Sequence, residues 1–340
     1  MDHIAIDLGR SKSQICVRAP DGTILEERRL PTPRLVEYLG QRATKAARVV
    51  FETCAESFAV ADTARALGYD VRVVPATLAP ALGVGARRTK TDERDARCLS
   101  EASCRIDLPS VHIPSRQSRD RKTLCGMREA LVTSRTQLIN TVRGWLRGQG
   151  IRLRSGATET LPARVRQAIS APPTYVQRQL AMIDELTRSI READKELEQT
   201  ARGDETCRRL MTVPGVGPVT AVRFVAAIDS VQRFDAAHAV QSYLGLAPGE
   251  WSSGDRQHRT GITKAGSVAT RRALVQAAWV MKTRRPNDPA VLWSTQVEKR
   301  RGKLIAVVAL ARKLAGILFA LWRDGTTYDS ARGAAPLLAT

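Results

Sequence analysis

Short apolar runs dominate the first third of the chain. Residues 3–8, 13–18 and 23–30 look like three strands, and Pro20-Asp21-Gly22 supplies turn chemistry between the last two. Residues 48–52 and the Val-rich 70–75 repeat the pattern, with a helical stretch at 57–67 between them that Gly68 closes. A further helix opens at Asp92. Three strands in meander, then strand, helix, strand and helix, predict an α/β layer.

From about residue 115 the period changes. Residues 117–148 read as one long Arg-rich helix and 172–201 as another, the second opening with Pro172-Pro173. Leu180, Ile183, Leu186, Ile190, Ala193 and Leu197 recur at spacings of three and four, which predicts a helical stripe. The pair suits a coiled-coil hairpin and a dimer contact, or an ordinary helical layer. The polar stretch 150–171 reads as a connector. Beyond 204, residues 207–229, 267–283 and 303–323 look helical, 245–262 is a Gly-, Ser- and Arg-rich loop, and the tail after Thr326 is loose. The expected organisation is therefore 1–114, an α/β domain; 115–203, a helical coiled-coil middle; 204–326, a mainly α domain; and 327–340, a tail.

Composition narrows the partners. The 340 residues are 43% hydrophobic and 26% charged, ordinary for a globular chain with a sizeable core. The charge is not ordinary: 54 Lys and Arg against 34 Asp and Glu give +20, a field that attracts polyanions, nucleic acid first. An anionic membrane is the weaker partner, because no apolar anchor stands beside a polybasic tail. Leu304 to Trp322 is the most apolar segment, but Arg312 and Lys313 at its centre argue against a span and for a buried or half-buried helix. Six scattered cysteines form no CxxC pair, and the start Met1-Asp2-His3 resembles no signal peptide. Reduced thiols in a cytosol fit this cysteine usage best.

Against that basic background four acids stand out. Asp7 ends the first apolar run, Glu52 ends the fourth, and Asp92 and Asp95 open a helix. Acids at the ends of adjacent strands, joined by one or two from a facing helix, supply the hard oxygen ligands that divalent cations prefer. This matches the ribonuclease-H layout, where such a centre works on a phosphodiester. In the helix, positions 92, 95, 96 and 99 share a face, so Asp92 and Asp95 should point to the sheet and Glu93 to water. Arg87, Arg88 and Lys90, just before it, are placed to meet phosphate. The plainer reading of Asp92 and Asp95 is dipole-matched acids at a helix start. An actin-like ATPase also opens with a strand, an Asp and a Gly, but the second Asp-x-Gly strand it needs near mid-chain is missing.

Two further stretches point to nucleic acid. Leu210 to Ala221, with Pro214-Gly215-Val216-Gly217, fits a helix-hairpin-helix. Gly215 and Gly217 would permit positive φ values and bring backbone N–H groups to a phosphate; the plainer reading is a packing turn. The loop Glu250-Trp251-Ser252-Ser253-Gly254 runs into Arg256, His258, Arg259 and Lys264, then a helix with Arg271 and Arg272. A serine attacking a phosphodiester needs cations where charge develops, and Arg256, Arg259, Lys264, Arg271 and Arg272 are candidates. No Ser-His-Asp spacing is evident, and His258 reads as a phosphate contact or an exposed side chain.

Together these pieces resemble the insertion-sequence transposases of the IS110 family, the bridge-RNA-guided recombinases. The resemblance covers nearly the whole chain. Ile6-Asp7-Leu8-Gly9-Arg10, Phe51-Glu52-Thr53 and Lys90-Thr91-Asp92-Glu93-Arg94-Asp95-Ala96 match a RuvC-like D-E-D-D tetrad. Pro214-Gly215-Val216-Gly217, Tyr243-Leu244-Gly245-Leu246-Ala247-Pro248, Ser253-Gly254, Gly261-Ile262-Thr263-Lys264-Ala265-Gly266 and Arg271-Arg272-Ala273-Leu274 match the transposase domain. Ser267 stands where Asn is commoner and Thr263 where Ser is, neither in the proposed chemistry.

The resemblance implies an α/β RNase H-like (RuvC-like) domain whose tetrad binds Mg²⁺, with Mn²⁺ as a substitute. It implies a serine that forms a covalent phosphoserine link to DNA, in a site shared between subunits of a dimer of dimers. A structured non-coding guide RNA would pair with double-stranded target and donor DNA. Ser253 is the expected nucleophile, with Ser252 open as the alternative. The rival expectations are a metal-dependent nuclease or junction resolvase that uses water, and a nucleic-acid scaffold without chemistry.

Overall fold

The computed structural model describes residues 1–42, 46–82, 91–253 and 256–330, and the chain divides into two compact units, Met1–Pro114 and Ser115–Thr340. In the first unit, β1 (Asp2–Asp7), β2 (Lys12–Arg18) and β3 (Ile24–Pro31) form the expected meander. A short helix that periodicity did not reveal, α1 (Leu35–Arg42), leads towards β4 (Ala47–Glu52). Then come α2 (Ser57–Ala66), β5 (Asp70–Val74) and α3 (Asp92–Arg105). The sheet order is β3-β2-β1-β4-β5, with β1 antiparallel to β2 and parallel to β4.

Side chains alternate across the sheet, and the two faces have separate cores. Ile4, Ile6, Val49, Phe51, Val71 and Val73 pack with Leu35, Leu39, Ala61 and Ala64 of α1 and α2. Ala5, Val50 and Val74 pack on the other face with Leu99 of α3 and with Leu108. The central strand is buried on both sides, which is why β1 reads as an unbroken apolar run. A polar seam also ties α3 down. Ser103 Oγ and His3 Nδ1 share a hydrogen bond of 2.8 Å, and Arg18 Nε donates to Ser100 Oγ at 2.8 Å.

The second unit opens with α4 (Arg116–Gly148), α5 (Leu161–Ala168) and α6 (Thr174–Gly203). α4 and α6 form an antiparallel hairpin within the chain. Its cross-links step by seven residues along α4: Arg121 to Asp204 (2.5 Å), Arg128 to Asp194 (2.8 Å), Arg135 to Thr187 (3.4 Å). The seam lies slightly round from the expected stripe. Leu186 and Ala193 are half-buried, while Thr187 is buried and its hydroxyl donates to the Ile183 carbonyl at 2.7 Å. The supposed connector 150–171 holds α5, whose Leu161 and Val165 close a small core with Ile139, Val142, Leu146, Val176, Leu180 and Ile183. Only a few apolar residues reach that core from α5, too few for a visible period.

The rest is a helical core built from α7 (Glu205–Leu210), α8 (Pro218–Ile228), α9 (Ala237–Tyr243), α10 (Val268–Arg284), α11 (Pro289–Arg301) and α12 (Lys303–Asp324). α12 is the expected buried helix. Among the described residues it is the one helix long and apolar enough to cross a membrane by composition, yet Leu310, Leu314, Leu318 and Phe319 are buried in this core. Arg312 donates to Gln241 Oε1 at 2.8 Å, and the Lys313 ammonium lies 5.1 Å from the Trp293 ring centre. The stretch 245–262 is not simply a loop. It contains a two-stranded hairpin of β6 (Pro248–Ser253) and β7 (Arg256–Ile262), in register from Glu250 with Arg259 to Ser253 with Arg256. Its strands, Pro-Gly-Glu-Trp-Ser-Ser and Arg-Gln-His-Arg-Thr-Gly-Ile, carry no apolar alternation, so the usual strand signal is absent.

Candidate nucleic-acid site

β1 and β4 run parallel with Ile6 beside Phe51, so Asp7 and Glu52 follow at the same level of neighbouring strands. Each lies two residues beyond a core residue of the α3 face, Ala5 or Val50, and therefore on that same face. Both are half-buried. Asp95, in the first turn of α3, is 2% exposed. Ala96 and Leu99 are buried below it, as the helical spacing required, and the Thr91 hydroxyl caps the helix by accepting from Arg94 N–H at 3.4 Å. Asp7, Glu52 and Asp95 thus share the helix-covered face of the sheet.

Asp92 departs from the expected orientation. It is exposed, and its carboxylate accepts from Arg29 of the edge strand β3 at 3.1 Å. A helical turn spans 100° per residue, and the three positions from Asp92 to Asp95 rotate the first acid towards β3 rather than over β1. Arg29 pairs with Gln14, and Gln14 with Asp7, so this ion pair lies at the level of Asp7 but two strands away. Glu93 is exposed as expected and accepts from Arg97 at 2.7 Å. Arg87, Arg88 and Lys90 lie outside the described residues. Among the described residues no three His, Cys, Asp or Glu side chains gather closely enough to hold a metal ion. The donor set nonetheless suits a hard divalent cation: carboxylate oxygens only, three of them on one face of the sheet.

The Pro214–Gly217 turn joins α7 to α8. Gly215 has φ +88°, and a Cβ there would sit 2.3 Å from the Ala277 carbonyl oxygen of α10. This glycine lets the turn pack on α10. Gly217 differs from expectation: its φ is −100°, and a Cβ would meet open space. It caps α8 in extended backbone, followed by Pro218 at the first helical position, where a missing N–H costs nothing.

The hairpin that carries Ser252 and Ser253 has a tightly built base. Thr263 N–H donates to Ala247 carbonyl (2.9 Å) and Lys264 N–H to Gly245 carbonyl (3.1 Å). Gly245 has φ +67° and would place a Cβ 2.2 Å from Ala265 oxygen; Gly266, at +65°, would place one 2.1 Å from Tyr243 oxygen. Lys264 itself adopts φ +57° and is exposed. Arg271 closes the crossing. Expected to meet phosphate, it is instead 8% exposed, and its Nη1 donates to Leu244 carbonyl at 3.0 Å and to Ala265 carbonyl. The signal for this was present: Arg271 lies three and seven residues before Leu274 and Ala278, on the buried stripe of α10.

Arg272 keeps its guanidinium at the surface and pairs with Glu129 at 2.7 Å, a carboxylate that also takes buried Arg223 at 2.7 Å. Ser267 caps α10 by accepting from Thr270 N–H at 3.2 Å, so the replacement of asparagine leaves the cap intact. The backbone positions of Ser252, Ser253, Arg256, His258 and Arg259 are defined by the strand register, while their side chains lie outside the description. Five of the six thiols make poor nucleophiles: burial raises Cys16, Cys54, Cys104, Cys125 and Cys207, the last also beside Asp204 and pushed up to about 12. The acids belong to the first unit and the hairpin to the second.

Known proteins share both stretches. Residues 4–150 match the family profile of IS110 DEDD transposases, described as "Transposase", and residues 207–291 match "Transposase IS116/IS110/IS902 family". The chain is 28% identical over 335 residues to the transposase for insertion sequence element IS1111A of Coxiella burnetii, covering 96% of this chain and 90% of that one. It is 28% identical over 337 residues to the transposase for IS1328 of Yersinia enterocolitica, covering 96% and 98%. To a probable family 20 transposase of Pseudomonas aeruginosa it is 30% identical over 291 residues, covering 82% and 85%.

Proposed function

We propose, from the premise that this chain belongs to the IS110/IS116/IS902 family of insertion-sequence transposases, that it is an RNA-guided DNA recombinase working through a phosphoserine. As a DEDD-type transposase it acts on DNA and depends on a divalent metal. Asp7, Glu52 and Asp95 would hold Mg²⁺, with Asp92 joining once its exposed pair with Arg29, worth at most about 1 kcal/mol, gives way. The bound cation would draw charge from the scissile phosphate's oxygens.

The Ser253 hydroxyl would attack phosphorus, forming an Oγ–P bond as the P–O3′ bond breaks. The serine proton leaves to solvent or a nearby basic side chain, and the departing O3′ takes a proton from solvent to become a 3′ hydroxyl. Strand exchange follows by the reverse step, in which a 3′ hydroxyl attacks phosphoserine. Lys264 and Arg272, both exposed at the hairpin's base and on the helix after it, would hold flanking phosphates. Ser252 remains the competing nucleophile. The basic α4–α6 hairpin would hold guide RNA and a second subunit, in a dimer of dimers.

The observation that carries a serine over water is the hairpin itself. A hydrolytic nuclease needs the acids alone, whereas here a crossing of Gly245 and Gly266, locked by Arg271, fixes a strand ending in a doubled serine. The test is a denaturing gel of the full chain with element-end DNA, Mg²⁺ and RNA transcribed from the element's non-coding flank. Covalent protein–DNA adducts are expected, lost in Ser253→Ala and dependent on the RNA. Free cut ends without adducts would make the protein a water-using nuclease or resolvase. Adducts that survive Ser253→Ala and vanish in Ser252→Ala would move the nucleophile by one residue. Adducts formed equally well without RNA would remove the guide.

A further inference from the structure

The indole of Trp251 is 79% exposed, the most exposed large apolar side chain among the described residues. The chain has five tryptophans. Two of the others are covered by cations: Lys303 lies 5.2 Å from the Trp279 ring centre and Lys313 5.1 Å from that of Trp293. Trp251 sits in β6, on a hairpin whose base is pinned by Arg271 and two glycine crossings, and its ring faces water. A strand that keeps a flat apolar ring in solvent is poised for a ligand with a flat face.

Position and charge select the ligand. Strand alternation puts position 253 on the same edge-to-edge face as Trp251, two residues and about 6.7 Å along. That is about the rise of two nucleotides in a stacked strand. Position 252 falls on the opposite face, with Glu250. Arg256 occupies the cross-strand position beside 253, Lys264 is exposed at the hairpin's base, and Arg272 is exposed on the next helix. A flat apolar ring on a hairpin that also carries Arg256 and Lys264 is complementary to a nucleotide, with a π face and a phosphate, and poorly matched to an apolar protein surface.

We infer that Trp251 stacks on an unpaired nucleobase flanking the phosphate attacked from β6, and so selects a locally unstacked strand as the form of DNA that is cut. This rests on the reading of the hairpin as the DNA-cleaving element, but it concerns binding and can be tested without cleavage. It also favours Ser253 over Ser252, since only position 253 shares the ring's face.

The probe is fluorescein-labelled oligothymidine, and a matching strand of abasic residues, titrated by anisotropy against the full chain at salt high enough to weaken phosphate contacts. Trp251→Ala is expected to weaken oligothymidine binding by about 5- to 150-fold, the range of one base–aromatic stack. Trp251→Phe should recover most of the loss. The abasic strand should bind wild type and Trp251→Ala alike. Equal affinity of wild type and Trp251→Ala for oligothymidine would overturn the inference. So would an equal loss on both strands, which marks a fold or charge effect, or a loss of subunit association in Trp251→Ala, which would give the ring to a second copy. If the base-dependent loss appears and Ser253→Ala still forms adducts, the stacking stands and the Ser253 assignment falls.

Discussion

Replacing Arg271 by Met keeps the length and most of the volume of the side chain but removes its donors. In the native chain one guanidinium nitrogen serves two carbonyls, Leu244 at 3.0 Å and Ala265, on opposite sides of the hairpin's base, and the residue is 8% exposed. Water cannot easily replace it there. Hydrogen bonds to a charged donor contribute about 1.5–3 kcal/mol each, and relief from burying the charge offsets part of the pair. A net local cost of about 3 kcal/mol follows, which corresponds to about a 100-fold rise in the open population of the base. Hydrogen exchange reads this directly at two amides, Thr263 and Lys264, whose acceptors Ala247 and Gly245 lie across the crossing at 2.9 and 3.1 Å. Their exchange should speed up by about 100-fold while amides of β1, which belongs to the other unit, stay unchanged. Arg271→Lys, with one ammonium in place of the fork, should fall between. If exchange at Thr263 and Lys264 in Arg271→Met matches wild type, the guanidinium does not hold the hairpin and the account of its rigidity is wrong.

Two further outcomes follow from the geometry. Gly215→Ala should cost about 3 kcal/mol in urea unfolding of the second unit, because it combines φ +88° with a Cβ 2.3 Å from Ala277 oxygen, whereas Gly217→Ala should cost less than about 1 kcal/mol; equal costs would refute the packing role of Gly215. Burial, then the Arg48 guanidinium and the amino terminus, hold His3 below the ordinary 6.5, so the unfolded chain binds the proton more readily. Exchange protection of β1 should therefore be full above pH 6.5 and fall as the pH drops through the lowered folded value, with a shallower fall in His3→Gln; parallel profiles for the two proteins would exclude His3 as the source.

The strands of the first unit were legible because a buried central sheet forces runs such as Ile4-Ala5-Ile6 and Val49-Val50-Phe51 to be apolar on both faces. The long helices were legible for the same reason at a period of 3.6. α1, α5, α9 and α11 were not, since a short helix, or one held at a few contacts, leaves little periodicity. The β6–β7 hairpin was hidden because its two strands are polar and show no apolar alternation. Asp92 went astray because a shared helical face spans enough arc for one acid to reach β3 while Asp95 lies buried over the sheet.

What the sequence determined by itself is the chemistry available. Carboxylates close the first and fourth apolar runs, two serines sit among arginines, and the charge of +20 calls for a polyanion. These are properties of side-chain type and local order, and they survive without coordinates. Only the tertiary structure decided which groups are offered and which are spent. It buried Arg271 against two carbonyls, gave Gly215 to α10, and left Trp251 in water. A residue's fate here depends on what lies opposite it across the fold, in contacts between positions distant in the chain that no local pattern encodes.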